Sequence, residues 1–229
     1  MENNYSLEKK WQRFHKRARV FNYIPFVDFV LAAGSMATGK AHEGSDFDVI
    51  VAAREGRIFT VRFLSFIFTS LLGIRAKSHN NLHDKLESAD KICLSHFITP
   101  ASYRLSPPHN EYWKALYESL APLIGDEERV RTFFQSNNWV DVKKTEDKHK
   151  LAKPLRPRVL KAVISIILSG RFGDWVEKAL KNIQIRKIKS HLGLEAYHNP
   201  HLIYSDIELQ FHPKYEQRKK KLEKVRQFE

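Results

Sequence analysis

Two short apolar runs, Phe26–Ala33 and Phe47–Ala53, constrain this chain more than any other feature. Both are rich in β-branched, aromatic and small residues, both end at turn formers, and both have strand rather than helix length. They are expected as buried strands. Between them lies Gly34-Ser35-Met36-Ala37-Thr38-Gly39-Lys40-Ala41-His42-Glu43-Gly44-Ser45-Asp46, a loop of small and polar residues. Ahead of them, Leu7 to Asn22 carries Trp11, Phe14, Ala18 and Phe21 at spacings of three and four, which predicts an amphipathic helix. Pro25 blocks its continuation.

The order of residues across this unit suits nucleotidyl transfer. Gly34 lets the backbone approach a phosphate closely, and the amides and hydroxyl of Ser35 at a helix start can hold an anionic oxygen. Asp46 and Asp48 are two apart, so on an extended strand both carboxylates face one side. Two carboxylates on one face can share a pair of Mg²⁺ ions, one activating an attacking hydroxyl and the other neutralising a triphosphate and its leaving pyrophosphate. An Asp-x-Asp pair alone recurs by chance on many surfaces. Coupled to Gly-Ser at this distance and flanked by two apolar strands, it is specific.

On these residues, over about Val27 to Val51 and extending toward Thr99, the sequence resembles the DNA polymerase beta-like nucleotidyltransferase superfamily. The resemblance implies an α+β fold, a small mixed sheet flanked by helices. It implies magnesium-dependent transfer of a nucleoside monophosphate from an NTP to a hydroxyl, with Gly34 and Ser35 on the phosphates and Asp46 and Asp48 on the metals. Lys40 and Ser45, in the same loop, are expected to contact the nucleotide. Arg54 and Arg57, just after the aspartate strand, are further phosphate contacts by position.

The family also supplies a third carboxylate from a later strand, and here the pattern departs. The third strand expected, Lys91–Ile98, has no acid at its centre. Asp90 stands at its start, and strict alternation puts Asp90, Ile92, Leu94 and His96 on one face. Asp90 is therefore the expected third metal ligand. His96 is a second choice as proton acceptor, read otherwise as a half-buried histidine bonded to a carbonyl. Asp206 and Glu208, again two apart, are a third choice reaching in from the C-terminal part. The weak third acid keeps open an alternative, a protein of this fold that binds nucleotides or nucleic acid without turnover.

Elsewhere the pattern is simpler. Ile58–Ile74 is nearly all apolar, but its 17 residues are the lower limit for a bilayer span and Arg62 lies inside it. A helix packed across a sheet is expected, and no integral membrane association. Ser78–Ala89 reads as irregular. Tyr112, Leu116, Leu120 and Leu123 follow Pro107-Pro108 at helical spacing, and Asp126-Glu127-Glu128 opens another helix. Arg158–Ser169 and Asp174–Ile188 read as a helix pair broken by Gly170 and Gly173, with a short strand at His201–Tyr204.

Charge divides the chain. Its formal net charge is +13 over 229 residues, but residues 1–142 hold 18 Lys and Arg against 16 acids, while residues 143–229 hold 21 against 10. Two parts are expected: a nearly neutral nucleotidyltransferase-like domain at 1–142 and a basic, mainly helical annex at 143–229, joined by a polar linker around Lys143–Pro154. The basic part, with Trp175, Tyr197, Tyr204 and Tyr215 interleaved and an Arg218–Lys221 cluster, suits an anionic acceptor such as RNA. One cysteine, Cys93, excludes a disulfide framework or a Cys-rich zinc site, and His79 and His83 do not sit on a convincing helix. P-loop, GxGxxG and GxSxG patterns are absent, which argues against P-loop NTPases, Rossmann dehydrogenases and α/β-hydrolases. The charged N-terminus lacks a signal-peptide core, so the expected compartment is the cytoplasm.

Overall fold

The computed structural model describes residues 2–76, 87–107, 109–141, 159–191 and 202–211. The expected linker at 143–154, the pair His79 and His83, Tyr197, Tyr215 and the Arg218–Lys221 cluster lie outside these described residues. In chain order the elements are α1 (Glu2–Ala18), a 3₁₀ turn (Arg19–Tyr23), β1 (Val27–Ala32), α2 (Gly34–Ala37), β2 (Phe47–Ala53) and α3 (Ile58–Leu71). There follow β3 (Ile92–Ile98), α4 (Glu111–Glu118), β4 (Ala121–Gly125), α5 (Glu127–Ser136), α6 (Val159–Ile167), α7 (Arg171–His191), β5 (Leu202–Tyr204) and β6 (Glu208–Phe211). The strands form one six-stranded mixed sheet in the order β4-β1-β2-β3-β6-β5. Only β2 and β3 run parallel, joined by α3, as a crossover helix requires.

Alternation along the central strands builds a core on each face. Val30, Ala32, Val49 and Val51 point to one side, with Phe14, Phe21, Phe47, Phe59 and Phe97. Phe29, Leu31, Ile50 and Ala52 point to the other, with Trp113, Tyr117 and Phe133. Phe14 of α1 stacks on Phe47 at the start of β2, ring centroids 4.4 Å apart. Burying an aromatic pair of this kind stabilises by about 1.5–3 kcal/mol per ring, and it fixes α1 beneath the aspartate end of β2.

The apolar helix α3 buries Ile58, Phe59 and Val61 against the sheet and leaves Phe63, Phe66 and Leu71 exposed. Its Arg62 donates to Gln184 Oε1 of α7 at 2.6 Å and lies over the Phe211 ring, 4.9 Å from the centroid. Burial lowers its pKa to about 10. Among the described residues, no helix is long and apolar enough to cross a membrane. No side chain of its own caps the start of α3. Instead Glu177 of α7 accepts from the Phe59 and Thr60 amides, both at 2.8 Å, and from the Thr60 hydroxyl at 2.6 Å.

Three elements differ from the sequence reading. Leu123 belongs to β4 and not to a helix, and Leu120 precedes that strand. β4 contains Pro122, which the sheet tolerates because β4 is an edge strand. Gly173 does not break a helix but sits in the first turn of α7, where a Cβ would lie 1.9 Å from the Leu168 carbonyl oxygen. Finally, β6 follows the expected strand at 202–204 and pairs antiparallel with β3. The sheet thus takes strands from both sides of position 142, and α7 packs on α3 through Arg62–Gln184 and Glu177.

Candidate functional site

The turn from β1 into α2 is built on Gly34, at φ +63°. Such a conformation favours glycine, and here space demands it as well. A Cβ on Gly34 would lie 1.9 Å from Asp48 Oδ2 and 2.7 Å from Asp48 Cγ. The Asp48 carboxylate is therefore seated directly against the Gly34 backbone. Around it, Thr38 Oγ1 donates to the Gly34 carbonyl at 3.1 Å, and the Lys40 amide donates to the Ser35 carbonyl at 2.9 Å. These bonds close α2 into a single rigid turn.

Asp46 and Asp48, both half-buried, face the side of β2 that carries Ile50 and Ala52. The residue opposite Asp48 on β3 is Cys93. One carboxylate oxygen from each aspartate and the Cys93 Sγ all lie within 4.8 Å of one another. The thiol hydrogen-bonds with Asp48 and Ser95. Burial, followed by the negative charges of Asp48 and Asp46, pushes its pKa well up, so the free site holds a neutral thiol.

Strict alternation along β3 fails at a bulge. Asp48 opposes Cys93 but Ile50 opposes His96, so two steps on β2 match three on β3. Cys93 and His96 consequently share the aspartate face, whereas Ile92 packs in the opposite core. His96 is not presented to the loop. It is 2% exposed, and its Nε2 meets Glu208 Oε1 of β6 at 3.0 Å, with Ser106 donating to Glu208 Oε2 at 2.8 Å. A carboxylate, that of Glu208, is thus a partner of this buried histidine.

The other expected residues fall as follows. Asp90, with φ +61°, binds Lys10 Nζ and Arg13 Nη1, each at 2.6 Å, and its carbonyl accepts from Arg17. Burial raises the Asp90 pKa, but the hydrogen bonds and charges of Lys10 and Arg13 outweigh it and leave it below the ordinary value. Among the described residues, the donor atom grouped with those of Asp46 and Asp48 is the Cys93 Sγ, while the Asp90 carboxylate is held by Lys10 and Arg13. Asp206 pairs with Lys181 Nζ at 2.6 Å on the surface, and Glu208 is occupied by His96. Ser45 is buried, and its hydroxyl accepts from the His42 amide at 3.0 Å, which shapes the loop. Lys40 is exposed on the same loop. Arg54 sits just past the far end of β2, its backbone about 20 Å from that of Asp48 by strand rise, and Arg57 follows it across a turn, so the end of β2 opposite the aspartates carries both. Arg57 binds Asp174 at 2.7 Å and the Leu168 carbonyl at 3.0 Å.

Two features lay beyond the sequence reading. Cys93 was identifiable only as the single cysteine, in a strand expected beside the aspartates. Lys10, Arg13 and Arg17, spaced by three and four along α1, form the cationic row that claims Asp90.

The model of the family described as "Nucleotidyltransferase domain" matches residues 12–96. Those residues form a nucleotidyltransferase domain of the DNA polymerase beta-like superfamily. No curated protein and no solved structure matches the chain. The nucleotidyltransferase domain runs from within α1 to within β3, so Gly34, Ser35, Asp46, Asp48 and Cys93 all lie inside it. Lys10 and β6 lie outside the matched span but contact it, through Asp90 and His96.

Its donor set suits a divalent cation. The two aspartates supply hard oxygen donors of the kind Mg²⁺ takes, one or two carboxylates completed by water and phosphate oxygens. Gly34 leaves room for the Asp48 carboxylate, which fills the place a Cβ would take.

Proposed function

We propose that this domain transfers a nucleoside monophosphate from an NTP to a hydroxyl acceptor in a divalent-metal-dependent reaction, with Mg²⁺ as the working ion. The observation that carries the reading is the seating of the Asp48 carboxylate against Gly34, with Asp46 alongside. Asp46 and Asp48 would hold the metal. When bound, the metal supplies neutralisation of the triphosphate and of the hydroxyl oxygen as it loses its proton. The Gly34 backbone admits a phosphate oxygen, and the Ser35 hydroxyl donates to it. In the transfer, the acceptor oxygen forms a bond to the α-phosphorus, the bond to the bridging oxygen of pyrophosphate breaks, and the hydroxyl proton passes to solvent. Positioning and electrostatics carry such a displacement without a covalent enzyme intermediate.

We take the acceptor to be anionic, RNA being the model case. Residues 143–229 carry 21 basic residues against 10 acidic, and Arg186, Lys187 and Lys189 are exposed along α7. A cytoplasmic site of action accords with this reading. The test is pyrophosphate release from labelled NTP with Mg²⁺, compared with an Asp46→Ala/Asp48→Ala variant. Transfer surviving the double substitution would sink the assignment.

A second reading has one observation in its favour: a neutral thiol stands beside the aspartates, while Asp90 is held by Lys10 and Arg13. It is a nucleotide-binding protein without turnover. It expects carboxylate-dependent NTP binding and no pyrophosphate.

A further inference from the structure

We propose that Cys93 is the third protein ligand of the Asp46–Asp48 site, and that it gives this site a preference for a borderline divalent ion of the zinc class over Mg²⁺. The inference rests on the preceding reading only in taking the aspartate pair as a metal site. Its independent support is the strand register. The bulge in the β2–β3 pairing sets Cys93 directly opposite Asp48 and turns its Sγ into the space that Asp46 and Asp48 share. Without that bulge, the alternation that buries Phe97 with Phe47 would separate Cys93 from His96, placing them on opposite faces.

Three donors around a tetrahedral ion, with bonds of about 2.0–2.3 Å, lie roughly 3.5 Å from one another. The carboxylate oxygens and Sγ already lie within 4.8 Å of one another, close to that spacing. Gly34 is what lets the Asp48 carboxylate keep its place in the set, because a side chain there would displace it. Three protein donors match the number that catalytic zinc sites use, with a fourth position left for water or substrate, and both carboxylate oxygen and thiolate sulfur are donors that zinc accepts. Mg²⁺ has no use for sulfur and would rely on the carboxylates alone. On binding the softer ion, the thiol gives its proton to solvent and a metal–sulfur bond forms. No oxidant or other reactant is needed.

A single cysteine makes the test clean, since any sulfur-to-metal charge-transfer absorption has one source. The full chain is titrated with Co²⁺ and with Cd²⁺, and binding of Zn²⁺ and Mg²⁺ is measured by calorimetry. The expected result is one equivalent bound with a charge-transfer band. That band should disappear in Cys93→Ser, with Zn²⁺ affinity falling about a hundredfold, the upper range even for losing an outer-shell partner. Mg²⁺ affinity should move by less than about threefold. An Asp46→Asn/Asp48→Asn variant should lose the band as well. Saturating Co²⁺ without a band would overturn the inference, as would a band of undiminished affinity in the aspartate variant. Carboxylate-dependent Mg²⁺ binding with no cobalt–sulfur band would remove this inference and leave the proposed function standing. Failure of both Mg²⁺ and Co²⁺ to bind would remove both.

Discussion

Gly34 and Asp48 occupy space that only a glycine leaves: a Cβ at position 34 would lie 1.9 Å from Asp48 Oδ2, well inside any real contact. Loop and aspartate strand are thereby locked in register at the point where a nucleotide would meet its metal.

Gly34→Ala should accordingly damage the site twice. The left-handed φ of +63° costs a non-glycine residue roughly 1–2 kcal/mol, and the methyl displaces the Asp48 carboxylate. Denaturant unfolding should show the modest stability loss. Turnover should fall on the order of a hundredfold or more, since small misplacements of reacting groups carry penalties of that size.

Asp46 and Asp48 share one space with Cys93, so they should act as a unit. Asp46→Asn and Asp48→Asn should each lower kcat by at least roughly a hundredfold, and the double variant by little more than the worse single one. Single-turnover kinetics with labelled NTP measure this. Additive losses would mean that the two carboxylates have separate tasks.

Asp90→Asn separates a structural acid from a metal ligand. Asparagine tolerates the φ of +61°, removes the charge and keeps one of the two acceptor oxygens that Lys10 and Arg13 use. Because Lys10 and Arg13 depress the folded pKa of Asp90, its stabilisation is fully present above the unfolded value near 3.9 and is lost as pH falls through the lower folded value. The variant should be less stable by on the order of 1–2 kcal/mol at pH 7, and the gap should begin to narrow below about pH 4 and close only beneath the folded pKa. Turnover per folded molecule should hold. A loss matching that of Asp46→Asn would make Asp90 part of the chemistry.

Glu177→Ala tests the cap that α7 places on α3. It strands the Phe59 and Thr60 amides and should cost about 1–2 kcal/mol. Hydrogen exchange should show the first turn of α3 and the facing turn of α7 loosening together. Glu177→Gln, which keeps an acceptor, should recover part of the loss.

Much of the aspartate unit was legible because its determinants are local. Strand spacing puts Asp46 and Asp48 on one face whatever lies beside them, and Gly34 is demanded by its own backbone turn. Helical spacing likewise reports α1 directly, and the length of the apolar run at 58–74, with Arg62 inside it, reports α3. β4 was hidden because Leu116, Leu120 and Leu123 mimic a helical stripe, and Pro122 reads as a strand breaker until the strand is known to be an edge. β6 was hidden because its four residues mean nothing without β3 to pair with.

The sequence by itself determined the strand–turn–strand unit, its glycine and its two aspartates, because period-2 alternation and a left-handed turn are properties of adjacent residues. Tertiary structure decided which side chain stands beside the aspartates. Which side chain joins Asp46 and Asp48 depends on the register of β3 against β2 and on a bulge that reverses its alternation. Whether Asp90 is available depends on cations some 80 residues earlier, which Phe14 and Phe47 bring beneath it by packing. Those are long-range contacts, set by the whole core at once, and no local pattern encodes them.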